Sequence, residues 1–496
     1  MVYIMLLLSF SIPLILFKGS IDDFAPRSIA IVNDIIAMGN MPENYYTVQV
    51  PGYYLLGTIL ILISRIPEYG LLYFPIQIIP YGLALFFLMY KISGNRLIAG
   101  LIVLIDLISG TTGTSKVFFW PHGVGNILFY ILLIVLMNVL DGSKASNSGK
   151  YISLILISSA LVFISYDLTA YSLIFVAVLL FFLRFSLGKN NTKYRRLFNY
   201  LAVFFLIIVL ILLSVSQFIQ TTFIPMLKHL VSEISAINKF IISYLSPNII
   251  DTQLKNLFIS YPRIISVISG IKYLLLLASI ILFIITAVKA HKAKRETSAP
   301  QVIVLSIIIT AFIYGLLRFI IGQIPVTGLF FPGILCVAWL SRKYKRWSYI
   351  IIMSLLVLTP LYYFVHYNCN LLNNDLRINE KINSSALWLT DNGNTIFLVR
   401  SDELTKNLIL FKQSSEKETG RLNNVQRITS ADAVNLTEGS DVSPDTYFII
   451  NYKLNTMSLD NWIIIKSWNF AKEKINSNYN TNKTYDNSDI CIYAKQ

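Results

Sequence analysis

Charge is what this chain has least of. Only 14% of its 496 residues are Asp, Glu, Lys or Arg, against about a quarter in soluble domains. A water-soluble enzyme is thereby excluded as the main body. Cysteine is nearly missing, with three residues, which excludes a scaffold built on disulfides. Those cysteines and the four histidines form no spaced ligand cluster, so no zinc site is expected. Internal repeats and low-complexity tracts are absent too, which excludes a solenoid.

What is abundant is apolar. Hydrophobic residues make up 55% of the chain and its mean hydropathy is +0.63. Disorder is therefore excluded. The formal net charge of +15 suits Lys and Arg that orient membrane helices better than it suits nucleic-acid binding, and no nucleic-acid partner is expected.

Long apolar runs fill the chain to Val365, each near the roughly 20 residues that cross a bilayer. From His366 onward Asn, Ser, Thr, Lys and Asp dominate, and apolar runs shrink to strand length. The expectation is a membrane domain over 1–365 and a soluble domain over 366–496. Met1–Phe17 has neither a basic start nor a small-residue cleavage site, and reads as a first span rather than a removed signal. The spans predicted are 2–17, 69–90, 97–112, 117–140, 151–166, 168–185, 197–219, 264–288, 301–320, 327–341 and 347–365. Val50–Ser64 is short and is followed by Arg65, so it reads as a helix along or into the membrane surface.

Charge sets the orientation. Seventeen Lys and Arg lie in the short loops 91–96, 141–150, 184–196, 289–296 and 341–346. Only eight lie in 18–68, 113–116 and 220–263, although those segments are longer. The five basic loops fall on one side by alternation, which assigns them to the cytoplasm. The N-terminus is then inside. Loops 18–68 and 220–263 and the C-terminal domain are outside. The protein is expected in a cell or cytoplasmic membrane, or in the endoplasmic reticulum of a eukaryote.

Ionisable groups within spans are costly and mark function. Here they are Asp106, Lys272 and Arg318, with His122 near a helix end and Asp167 in a turn. All five fall in the outer half, on the side that also holds Asp22, Asp23, Asp34, Glu43, Lys116 and Arg263. A transporter needs polar groups along a path to both sides. The one-sided pattern favours a site open to the outside. Each group also has a structural reading. Asp167 can cap the following helix, His122 can pack at the interface, and Arg318 can snorkel.

The first outer loop reads Asp22-Asp23 directly after the first span, then Ile29–Met38, Gly39-Asn40-Met41-Pro42, and Pro51-Gly52-Tyr53-Tyr54-Leu55-Leu56. This order resembles the GT-C class of membrane glycosyltransferases, which includes protein O-mannosyltransferases and aminoarabinose-type lipid A transferases. An acidic pair, a short helix, a Gly-polar-x-Pro turn and a proline-tyrosine juxtamembrane helix follow one another there. The resemblance is specific over about 35 residues of this loop. It implies about eleven spanning helices and a polyprenyl- or dolichyl-phosphate sugar donor, with transfer to a glycan, lipid or protein acceptor on the outer face and inversion at the sugar. Asp22 or Asp23 would accept the acceptor's proton. Arg318, Lys272 or Arg263 would hold the lipid phosphate. Asp106, His122, Asp167 and Glu43 are further candidates. A divalent cation, Mg or Mn, has room on the carboxylates, and no other cofactor is expected. A flippase for lipid-linked saccharides, or a glycan ligase or polymerase, are the alternatives.

In the C-terminal part, residues 376–391 read as an amphipathic helix. Thr395–Val399, Tyr447–Tyr452, Trp462–Lys466 and Ile490–Tyr493 read as strands of a small extracytoplasmic α/β domain. Cys369 and Cys491 both fall outside the cytoplasm, where a disulfide would persist.

The topology has a direct check. A cysteine introduced at Ser146 should be labelled only after permeabilisation, and one at Asn44 in intact cells. Labelling of both from outside would overturn the charge-based arrangement.

Overall fold

A computed structural model describes residues 25–41, 51–65, 77–108, 121–141, 157, 166–184, 198–199, 202–203, 206, 263–292, 298–320, 330–368, 398–401, 425–427, 446–451, 481–486 and 490–495. The chain falls into two compact units. One comprises Met1–Leu7, Val48–Tyr53 and Gln77–Val365, and the other Leu8–Thr47, Tyr54–Ile76 and His366–Gln496.

The described helices of the first unit are α3 (Ile78–Ser93), α4 (Arg96–Ile108), α5 (Pro121–Asp141), α6 (Tyr166–Phe182), α7 (Arg263–Lys292), α8 (Ala299–Ile320), α9 (Phe330–Leu340) and α10 (Lys345–Asn368). Before them come α1 (Ala25–Met38) and α2 (Pro51–Ser64). Among the described residues, three segments are long and apolar enough to cross a bilayer: Gly123–Leu140, Val267–Ala290 and Ala299–Leu316. The chain is a helical membrane protein. The expected spans at 2–17, 151–166 and 197–219 lie almost wholly outside the described residues.

Helix α7 shows why lipid is the right solvent. Val267, Ile271, Leu274, Ile281, Ile285 and Val288 recur at helical spacing and are exposed, while Leu276, Ile280, Phe283 and Ala287 on the other face are buried. An exposed lane of this length and apolarity is at rest only against hydrocarbon. Helix α2 is different. At 14 residues it is about 21 Å long, short of a bilayer's hydrocarbon core of about 30 Å. Arg65 ends it with a φ of 53°, its N–H donating to the Ile61 carbonyl at 2.9 Å.

Helices α3 and α4 fold back on each other through a tighter connection than the sequence reading allowed. Gly94 takes a φ of 70° and its N–H donates to the Tyr90 carbonyl at 2.7 Å, which closes α3. Asn95 then caps α4, its Oδ1 accepting from the N–H groups of Leu97 and Ile98 at 2.9 and 3.2 Å. The turn is thus Gly94-Asn95, and Lys91 and Arg96 sit on helix ends.

The bundle packs by neighbours. Helix α3 lies against α4 and α5, α6 against α8, and α7 and α8 each against α9. Helix α9 approaches α7 closely at Gly333, where an added Cβ would lie 2.7 Å from the Leu276 Cβ. Phe283 of α7 meets Trp339 of α9 edge to face, with ring centroids 4.9 Å apart.

In the second unit, α1 is buried through the run Ser28–Ile35. Five strands form one sheet, in the order β2 (Val425–Arg427), β1 (Leu398–Ser401), β3 (Thr446–Asn451), β5 (Ile490–Lys495), β4 (Thr481–Asp486). Strand β1 runs parallel to β2 and β3. Strand β5 is antiparallel to β3 and β4, with Ile450 opposite Cys491. Three of the expected strands correspond in part to β1, β3 and β5. The sequence reading did not anticipate β2 or β4, because Thr481–Asp486 is polar throughout and shows no alternation. The expected helix over 376–391, the expected strand Trp462–Lys466 and Cys369 lie outside the described residues.

The close approach of α7 and α9 can be tested. Gly333→Ala should destabilise the protein by on the order of 1–3 kcal/mol. In a Leu276→Gly background the cost should shrink, because the clashing Cβ and the rest of that side chain are gone. Thermal unfolding of the four proteins in one detergent reads the coupling, and equal costs in both backgrounds would refute the contact.

Candidate functional site

Among the described side chains of the first unit, two buried ones are acidic or basic, Asp106 and Lys272, and each sits in a constellation of aromatic residues. Asp106 is on the last turn of α4 and is 2% exposed. A carboxylate cannot be left bare at that depth. The Tyr81 hydroxyl of α3 donates to its Oδ2 at 2.9 Å. Tyr81 has then committed its proton, so the Tyr130 hydroxyl of α5, 2.9 Å away, donates to Tyr81. The two rings also meet edge to face, with centroids 5.5 Å apart. The result is an oriented chain, Tyr130 to Tyr81 to Asp106, that draws on three helices and directs its protons toward the carboxyl group.

Lys272 is on α7 and is 4% exposed. Its Nζ lies 5.5 Å from the ring centroid of Tyr273, 5.5 Å from that of Phe330 at the start of α9, and 5.2 Å from that of Tyr362 on α10. Ring faces attract an ammonium group, and more strongly when water is excluded. This offsets part of the cost of placing a lysine among apolar helices.

The first turn of α9 touches both constellations. Phe330 faces Lys272, and the next residue, Phe331, stacks on Tyr130 at 5.3 Å and 24°. From Phe331 the aromatic contacts continue to Phe129, then to Tyr171 and Tyr314, with centroid separations of 6.5, 5.6 and 5.4 Å. This layer stands away from the basic ends of the helices. At those ends the Arg342 Nη2 donates to the Lys91 carbonyl at 2.6 Å, and the Lys91 ammonium donates to Asn138.

The second unit holds one described carboxylate with a distinctive setting. Asp34 of α1 is 6% exposed, and its Oδ2 meets no hydrogen-bond donor among the described residues. The Oδ1 of neighbouring Asn33 is in the same condition. Burial pushes the Asp34 carboxyl up to about 6.

Of the other residues singled out by sequence, Asp22, Asp23 and Glu43 lie outside the described residues. Arg263 opens α7, Arg318 lies near the end of α8, and His122 and Asp167 are in the first turns of α5 and α6. Their side chains lie outside the described set. An acidic residue in the first turn suits the positive end of the helix dipole, which fits the capping account of Asp167. Among the described residues, no group of three or more His, Cys, Asp and Glu is placed to hold a metal ion.

Sequence reasoning reached Asp106 and Lys272 but missed Tyr81 and Tyr130. The signal was available, because a tyrosine in the middle of an apolar span needs a partner for its hydroxyl. Comparison with protein-family models and with curated proteins finds no match for the chain.

Asp34 predicts a pH effect. A carboxyl that is raised in the folded state adds stability below its unfolded value near 4, and that contribution is lost as pH rises through about 6. Asp34→Asn removes the cost of burying the ionised form. It should stabilise the protein at pH 7.5 by on the order of 1–3 kcal/mol, and give no gain at pH 4. Melting curves at the two pH values decide this, and an equal gain at both would refute it.

Proposed function

We propose that this protein transfers a sugar from a polyprenyl- or dolichyl-phosphate donor to an acceptor at the outer face of the membrane. The carrying observation is the separation of two kinds of polar group along the described helices. The basic ends Lys91, Arg96, Lys289, Lys292 and Arg342–Arg346 belong to one end of the first unit. The buried pair Asp106 and Lys272 lies away from them. Polar groups gathered toward one face support a site that opens to one side, as a transferase requires, over a path lined from side to side.

In this reading eleven helices span the membrane, and loop 18–68 and a C-terminal α/β domain face outward. Asp22 or Asp23 is the general base that accepts the acceptor hydroxyl's proton as the sugar is attacked. The leaving group is a lipid phosphate, which needs positive charge. Lys272 suits that role. Its ammonium lies beside the start of α9, and a helix start carries partial positive charge of its own. Arg318 and Arg263 complete the phosphate-binding set, and the donor's polyprenyl chain lies against lipid-facing helix surfaces.

The test is product analysis. Membranes containing the protein, supplied with radiolabelled polyprenyl-phosphate sugars, should form a new labelled product. Asp22→Asn or Asp23→Asn should reduce transfer by about 100-fold or more at unchanged expression. If both single variants keep near-wild-type turnover, the base assignment is wrong. If the wild type forms no product from any such donor, the transferase reading itself is wrong.

A further inference from the structure

The basic end of the first unit holds more than orientation requires. Helix α7 ends in Thr286, Lys289 and Lys292, and the connection from α9 to α10 carries Arg342, Lys343, Tyr344, Lys345 and Arg346. Phe283 against Trp339, at 4.9 Å between ring centroids, brings these two segments together. The Lys343 Nζ stands 5.5 Å from the Tyr344 ring centroid. The Tyr344 hydroxyl is held below the ordinary tyrosine range, chiefly by its hydrogen bond with Thr286. Burial opposes this, and the charges of Lys343 and Lys289 add to it. The charges of both lysines thus reach one hydroxyl, and both lysines are exposed. Arg342 is exposed as well and is bound to the end of α3, where Lys91 and Arg96 add two more cations. Asp141, the last residue of α5, is the one acidic residue at these helix ends among the described residues.

Like charges brought together raise one another's free energy, and an anion between them relieves it. The surface next to the cations says which anion. Ile284, Ile285 and Val288 of α7 are exposed immediately before Lys289. On α10, Ile350 and Met353 are exposed beyond the basic turn, and Trp347, one turn before Ile350, is 61% exposed. An exposed tryptophan belongs at the level of lipid headgroups. A ligand that fits has a negative head and apolar tails.

We propose that Lys289 and Lys343 form a binding site for the phosphate of an anionic phospholipid, whose acyl chains lie on the exposed faces of α7 and α10. The two ammonium groups bracket the phosphodiester. The site is remote from Asp106 and Lys272, and does not depend on the transferase reading.

The experiment uses the full-length protein, purified in a mild detergent and supplied with phosphatidylglycerol or phosphatidylcholine. Native mass spectrometry reads the retained lipid, and a melting curve reads stabilisation. Phosphatidylglycerol should be retained in preference to phosphatidylcholine and should raise Tm. Lys289→Ala with Lys343→Ala should weaken its retention by about 25-fold, since each cation near an anionic headgroup counts for about fivefold. Lys289→Arg with Lys343→Arg keeps the charge and should keep the lipid, which separates loss of the site from loss of the fold. Equal retention of the two lipids, undiminished retention in the alanine variant, or loss in the arginine variant would each overturn the proposal. Inorganic phosphate is the further arm. If it raises Tm as phosphatidylglycerol does, the site serves free phosphate and the lipid assignment fails.

Discussion

A buried carboxylate in an apolar bundle must be bonded, and much of the first unit is arranged around meeting that need at Asp106. The cost of leaving it bare is several kcal/mol. It is met by the Tyr81 hydroxyl of α3, which in turn accepts from the Tyr130 hydroxyl of α5, so α3, α4 and α5 are held to one register. A shift of α3 by one residue would swing Tyr81 about 100° round its helix and break both of its hydrogen bonds. Apolar packing alone is permissive in lipid, where the tails are as apolar as the side chains. The directional bonds supply what packing does not, a single arrangement of three helices.

The same reasoning explains why aromatic residues dominate the layer beyond Tyr130. A ring can meet an ammonium group, a hydroxyl-bearing ring or another ring without needing water. Phe330 and Phe331 use two of these modes from adjacent positions on α9, one toward Lys272 and the other toward Tyr130. The short helix α9 is pinned at its other end by Trp339 against Phe283, and along its flank by Gly333 against Leu276. Eight of its eleven residues are buried, so it is a central strut of the unit.

Much of this was legible in the sequence, and the failures have physical causes. Apolar runs anticipated helices at α3 to α10, and three of the described segments have the length and apolarity that crossing lipid demands. The loop 91–96 was read too generously. Ser93-Gly94-Asn95 carries a helix stop and a helix start, and a count of charges does not see them. Strand β4 was missed because Thr481–Asp486 owes its pairing to backbone hydrogen bonds with β5 and shows no apolar alternation. Tyr81 and Tyr130 were missed because a hydropathy scan counts tyrosine as bulk and overlooks its hydroxyl. Asp106 and Lys272 were found by the opposite property, since a charge in a span stands out against every neighbour.

Asp34 shows how function and stability pull apart. Sequence alone puts it among several acids of the first outer loop, and singles out Asp22, Asp23 and Glu43 ahead of it. The structure distinguishes it by enclosure, since the run Ser28–Ile35 is buried around it and its Oδ2 meets no donor among the described residues. An ionised carboxyl in that setting weakens the fold at neutral pH, and asparagine of nearly the same shape would not carry the charge. A helix with Ile29, Ala30, Ile31, Val32 and Ile35 on every side gains enough from apolar burial to carry that cost. The acid is therefore compatible with folding without being explained by it. Asp106, by contrast, is accounted for by the three helices it holds in register.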